Sequence, residues 1–178
     1  LNFIHNPEFL TAATAYEDFH SQTHIVLGKG ENCSNEQLEK VCDFYSKYYS
    51  NAEISTCTSI ESESMKIFCN SFYAVKLQFF NELYDMCHKN NSDYNLIVKL
   101  MLKNKWINPM HTTIPGPDGK LSYGGLCFPK DTNALLNHMK QHNVRCEILE
   151  ACINERNDMR KDNVNIIKNE HLEIPDKI

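Results

Sequence analysis

Between Gly124 and Asp131 the chain reads Gly-Gly-Leu-Cys-Phe-Pro-Lys-Asp. Behind two glycines, a thiol, a cation and a carboxylate fall within five positions. Glycine lets a backbone approach a ligand closely or take positive φ. Pro129 fixes its own φ and disfavours helix at Phe128, so Cys127 is expected in a stiff extended turn. A helix is expected to follow, from about Thr132 to His142. A cysteine beside a helix start and a lysine is where a thiolate is stabilised. The alternative is a buried structural cysteine, a common fate for that residue. Local chemistry alone does not separate the two.

Other chemistry-bearing residues are more ambiguous. Glu8 follows Pro7 at the entry to an element expected over Thr11 to Asp18. It reads either as a helix-start acid favoured by the macrodipole or as a catalytic carboxylate. Lys66 and Asn70 are four apart in a long helical pattern and share one face. By themselves they read as a solvated lysine and a neutral asparagine. His138 and His142 have zinc-ligand spacing but no evident third ligand, so no metal site is expected. Gly28-Lys29-Gly30 begins like a dinucleotide fingerprint, but the third glycine would fall at Cys33, and the match fails.

The elements that must position these groups follow from pattern. Phe3-Ile4-His5 reads as a strand end, His24 to Gly28 as a short apolar strand and Glu53 to Cys57 as another. Between the latter two lies a helix capped by Ser34 and Gln37, with Leu38, Val41, Cys42, Tyr45 and Tyr48 on one face. That is a βαβ-like unit. Thr58-Ser-Ile-Glu61 is a capping box for the longest helix, expected from Glu61 to His88. Met65, Phe68, Phe72, Val75, Phe79, Leu83 and Met86 form one stripe on it, and Cys69, Tyr73, Phe80, Tyr84 and Cys87 a second. Two stripes imply burial on more than one side. Ser92 is expected to cap a helix to about Lys103, with Leu96, Val98, Leu100 and Met101 as core. A long turn-rich loop runs from Asn108 to Tyr123, and such loops are usually functional. A last helix is expected from about Cys146 to Ile167, before a polar tail, His171 to Ile178.

Composition bounds the partners. The net charge of -5 argues against a nucleic-acid surface. There are 3 Arg, none before Arg145, so an anion site earlier in the chain must use Lys, His or backbone N–H groups. Eight cysteines without a Cys-x-x-Cys read as reduced thiols of a cytoplasmic protein. No apolar run is long enough for a membrane span. The start, Leu1-Asn2-Phe3-Ile4, reads like the tail of a buried strand and suggests a piece of something longer.

Several separate stretches then agree. Asn6-Pro7-Glu8-Phe9-Leu10, Lys66-x-x-x-Asn70 with Asn81-Glu82 beyond it, the Gly124 to Asp131 motif, and Asn154-Glu155-Arg156 occur in the order that resembles the UDP-glucose/GDP-mannose dehydrogenase family. The resemblance implies the end of a Rossmann-like NAD-binding domain over residues 1–58. A helical central dimerisation domain would follow over 59–170, and 171–178 would lead toward a missing nucleotide-binding domain. The fold class is therefore α/β at the N-terminal end, then mainly α-helical with one long spine helix. The implied activity is the NAD-dependent, four-electron oxidation of a nucleotide-linked hexose, UDP-glucose first, at C6. Carried over, Cys127 is the nucleophile, Lys66 and Asn70 stabilise the oxyanion, Asp131 holds the water and Glu8 is the base for thioester hydrolysis. Glu8, Phe9, Leu10, Lys66, Asn70, Tyr123 and Gly124 would contact substrate, and Lys130 the NAD. A homodimer through the long helix is implied, and the chain alone is expected to be inactive.

The chain departs from the family pattern in places. Ala12 stands where a second glutamate is usual, Ala13 where a polar residue is frequent, His24 where an arginine is common, and Ser122 where a glycine is usual. The arginine that many members lend to a neighbouring site has no counterpart before Cys127, and Lys103 or Lys105 would be a poor replacement for its planar fork. Two other functions stay open: a non-catalytic dimerising remnant, and a thiol hydrolase with a histidine on Cys127.

Overall fold

The computed structural model describes residues 1–11 and 13–161. They divide into two compact units, the first ending at Cys69 and the second starting at Asn70. In the first unit, β1 (Ile4–His5), α1 (Ala15–His20), β2 (His24–Lys29), α2 (Asn35–Tyr48) and β3 (Glu53–Thr58) follow one another. The sheet order is β1-β2-β3, with β1 antiparallel to β2 and β2 parallel to β3 from His24 opposite Glu53 to Lys29 opposite Thr58. The expected βαβ unit is thus present. Ile25, Val26 and Leu27 of the central strand form its buried core.

Glycines 28 and 30 have a packing role. A methyl at Gly28 would collide with Ser62, and one at Gly30 with the Phe3 carbonyl and ring. Close approach of chain segments therefore explains the pair that imitated a nucleotide fingerprint.

Helix α3 (Ser59–Lys89) crosses the boundary between the units. Its 31 residues span about 46 Å at 1.5 Å per residue. The Thr58/Glu61 box forms as expected: the Glu61 carboxylate accepts from the Thr58 N–H at 2.8 Å, and its own N–H donates to the Thr58 hydroxyl. Those bonds hold its carboxyl below the usual range. Of the two stripes, the one through Phe80 and Cys87 enters the core, whereas Phe68, Phe72, Phe79 and Met86 stay exposed.

The second unit adds α4 (Tyr94–Leu102), α5 (Cys127–Gln141) and α6 (Glu147–Met159). Phe80, Cys87, Tyr94, Val98 and Ile114 form one buried cluster. Ala74, Tyr123 and Cys152 form a second, and Leu136, Leu149 and Ile153 a third.

Several expectations are corrected. Helix α1 starts at Ala15, and the Asp18 carboxylate accepts from the Thr11 N–H and the Thr14 hydroxyl ahead of it. Asp93, and not Ser92, caps α4 by accepting the Leu96 N–H. Leu96, Leu100 and Tyr48 are exposed, since each lies on the outer side of its helix. Helix α6 ends at Met159, because Arg160 turns into extended backbone. The expected stretch to Ile167, the tail, and Ala12 lie outside the described residues. The largest correction concerns Cys127. It is the first residue of α5, so the helix begins about five positions early and includes Pro129. At that position the missing proline N–H is one of those a helix leaves unbonded anyway. The steric cost at Phe128 is offset by its packing against the rings of Tyr73, His111 and Tyr123.

Candidate active site

In the second unit, Cys127 stands exposed at the start of the 15-residue helix α5. The start of such a helix is where negative charge is best accommodated. No side chain caps this helix start. One turn along, Asp131 is buried and accepts a 2.6 Å hydrogen bond from the Asn70 amide of α3. Its other oxygen meets the exposed Lys130 ammonium at 3.1 Å. Asn70 is buried as well, so this bond lies where solvent competes little. The structure thus groups Cys127, Lys130, Asp131 and Asn70 on two helices of one unit. Among the described residues, no histidine is hydrogen-bonded to the Cys127 thiol.

In the first unit, Asn6 anchors the Asn-Pro-Glu turn. Its amide donates to the Val26 carbonyl at 2.9 Å and its oxygen accepts from the Tyr45 hydroxyl at 2.7 Å. Pro7 is buried, and Glu8 and Phe9 project outward. The Lys66 ammonium donates to the Glu8 backbone carbonyl, lies 3.4 Å from the Glu8 carboxylate and sits 4.9 Å from the Phe9 ring centroid. The other Glu8 oxygen accepts from the Leu10 N–H. Lys66 and Asn70 fall on opposite sides of the unit boundary, and each is engaged within its own unit.

The loop into the cysteine is fastened by residues to which sequence reasoning gave no role. Asn81, fully buried, donates to the Leu77 carbonyl and accepts the Ser122 N–H at 2.8 Å. The Ser122 hydroxyl donates to Gln78. Ser122 has φ 58°, a left-handed value, which accounts for glycine being usual there. Serine holds it here through those two bonds. Arg156 donates to the Tyr123 carbonyl at 3.0 Å. Arg160 donates to the carbonyls of Leu121 and Ser122 and pairs with Asp118, holding that carboxyl below its usual range. Tyr123 is itself interior, and burial pushes its phenol well up.

The paired glycines serve different ends. A methyl at Gly124 would fall on the Arg160 guanidinium, while Gly125 has φ 73° with open space around it. The signal that was available was the neutral amides Gln78 and Asn81 lying between the apolar residues Leu77, Phe79 and Phe80 of α3.

Elsewhere, His24 at the edge of β2 shares a 2.9 Å hydrogen bond with Ser55. The His138 and His142 rings pack edge to face 4.4 Å apart. No group of three or more metal-ligating side chains is found among the described residues. All eight cysteines are unpaired. Among the described residues, no helix is long and apolar enough to cross a membrane.

With this geometry in place, comparison with known proteins identifies the chain. Residues 60–158 match the central domain of the UDP-glucose/GDP-mannose dehydrogenase family, and the chain belongs to that family. It is 34% identical over 163 residues to the UDP-glucose 6-dehydrogenase of Rickettsia felis, covering 92% of this chain and 35% of that one. It is 31% identical over 158 residues to the UDP-glucose 6-dehydrogenase of Pseudomonas aeruginosa, covering 88% and 33%. A UDP-glucose dehydrogenase structure from Pyrobaculum islandicum is similar with a TM-score of 0.77 and 26% identity, covering 88% of this chain and 34% of that one. The chain therefore spans about a third of the length of these relatives.

Proposed function

We propose that this chain is the catalytic and dimerising part of an NAD-dependent nucleotide-sugar 6-dehydrogenase acting on UDP-glucose. The observation that carries the reading is an exposed cysteine on the first turn of α5, one turn from a carboxylate that a buried amide holds in place. The names of the relatives supply the substrate class.

In this reading the Cys127 thiolate adds to the C6 aldehyde carbon formed by the first oxidation, giving a thiohemiacetal. Loss of a hydride from that carbon leaves a thioester. Water held by Asp131 then adds to the thioester, Glu8 takes its proton, and the thiolate departs from the carboxylate product. Asn70 and Lys66 supply donors for the oxyanion, an arrangement often worth several kcal/mol. NAD, when bound, accepts a hydride in each of the two oxidations. Lys130 would contact it, offering an exposed ammonium to an anionic group. The exposed stripe of Phe68, Phe72, Phe79 and Met86 would be covered by a second copy of the chain. Sedimentation as a monomer would count against that.

The test is NAD reduction by the protein as its gene encodes it, with UDP-glucose, UDP-N-acetylhexosamines and GDP-mannose, alongside Cys127→Ser. UDP-glucose should turn over fastest, and the serine variant should yield no acid product. Normal acid formation by that variant would overturn covalent catalysis.

A further inference from the structure

Lys76 is half-buried on α3, between the exposed Phe72 and Phe79. Its ammonium donates to two backbone carbonyls of the long loop, those of Asn108 and of Met110, the latter at 2.8 Å. Thr112 closes the same turn by donating to the Pro109 carbonyl at 2.7 Å, and its own carbonyl accepts from the buried Tyr94 hydroxyl. Between these fastenings lies His111, with φ 66°. Its ring is 5.1 Å from that of Tyr73 and 5.4 Å from that of Phe128. Phe128 is the residue after Cys127, and its carbonyl accepts from Thr132 within the first turns of α5. A continuous set of contacts therefore runs from an ammonium on α3, through one loop residue, to the backbone that carries the thiol.

We propose that Lys76 is a positioning residue for Cys127, acting through the Asn108–Met110 carbonyls and the His111 ring wedged against Phe128. The use of a cation is physically specific. A lysine ammonium carries three donors on one centre and can bond two carbonyls that converge on it. A neutral side chain of the same length leaves both carbonyls without that partner. Burial lowers the pKa of Lys76, and burial, with the Lys76 charge second, lowers that of His111. Misplacement of a nucleophile by a fraction of an ångström is enough to lose much of a rate.

This inference rests on the dehydrogenase reading only for its kinetic arm. The experiment uses the protein as its gene encodes it, with variants Lys76→Met, Lys76→Arg, His111→Ala and His111→Phe. Two quantities are read: steady-state NAD reduction with UDP-glucose, and the rate of Cys127 alkylation by iodoacetamide, followed by mass spectrometry of its peptide. Lys76→Met and His111→Ala should lower kcat by about tenfold or more while KM moves by less than about threefold, the pattern of a misplaced reacting group. Both should change the alkylation rate by at least about threefold, in the same direction. Lys76→Arg and His111→Phe should restore most of both quantities, because one keeps the charge and donors and the other keeps the ring. Should Lys76→Met not fold, the two His111 variants and Lys76→Arg decide the matter. Unchanged kcat and alkylation in His111→Ala would overturn the proposal. If the parent protein reduces no NAD with any nucleotide sugar, the dehydrogenase reading fails, and the alkylation rates still judge the positioning role.

Discussion

In the first unit Lys66 meets the Glu8 carboxylate at 3.4 Å, with the Glu8 side chain 56% exposed. In the second, Asn70 meets Asp131 at 2.6 Å, with both residues under 8% exposed. The first pair joins α3 to a loop turn, and solvent screens it from the Glu8 side. The second is built between two helices, where Asp131 also meets the Lys130 ammonium at 3.1 Å. A buried, charge-assisted hydrogen bond fixes direction as well as distance. Preorganisation is therefore greater at Asp131 than at Glu8. The Asp131 carboxylate is set between two helices, whereas the Lys66 ammonium is engaged by a loop turn whose Glu8 carboxylate is open to solvent.

That contrast can be broken or sharpened by mutation. Asn70→Ala removes an amide donor from a buried carboxylate and should destabilise the protein by about 2–3 kcal/mol, read as a fall in the denaturation midpoint. It should also cut turnover at least tenfold, since the same amide is proposed to serve the oxyanion. An unchanged midpoint would mean that the buried pair is not a fastening at all.

Arg160→Met should come next, at about 2 kcal/mol, by leaving two carbonyls and Asp118 without their donor. This effect carries a pH signature. Arg160 depresses the folded-state pKa of Asp118, so the stability it contributes is present above the unfolded-state value. It is lost as the pH falls through the folded-state value. Thermal midpoints of wild type and Arg160→Met, measured from neutrality down to strong acid, should therefore draw closer as the carboxyl protonates. A constant gap would assign the loss to the carbonyls alone.

Lys66→Met should change stability by less than about 0.5 kcal/mol, as expected for a half-exposed ion pair, while abolishing most turnover. A large stability loss there, by thermal or urea denaturation, would erase the distinction between the two units.

Much of the fold was legible because it is written locally. The Ser34/Gln37 and Thr58/Glu61 boxes announce α2 and α3 by side-chain to backbone bonds a few residues apart. The alternation of apolar runs gave β2 and β3. The start of α5 was misread because Pro129 carries a local rule against helix at Phe128, and the contacts that override it come from Tyr73 and His111, distant in sequence. The exposed Phe68, Phe72 and Phe79 were visible as a stripe, but not as the stripe left outside, because that choice depends on what α3 packs against.

Residue types and spacing singled out Cys127, Glu8, Lys66 and Asn70 as ambiguous candidates, and the resemblance to the dehydrogenase family gave them and Asp131 their expected roles. The fold alone settles that Asn70 and Asp131 are buried while Cys127 and Glu8 stay open to solvent. Burial and partners are properties of the surroundings. The fastening of the cysteine loop by Asn81, Gln78, Arg156 and Arg160 joins segments some forty residues apart, and no local pattern encodes such a meeting.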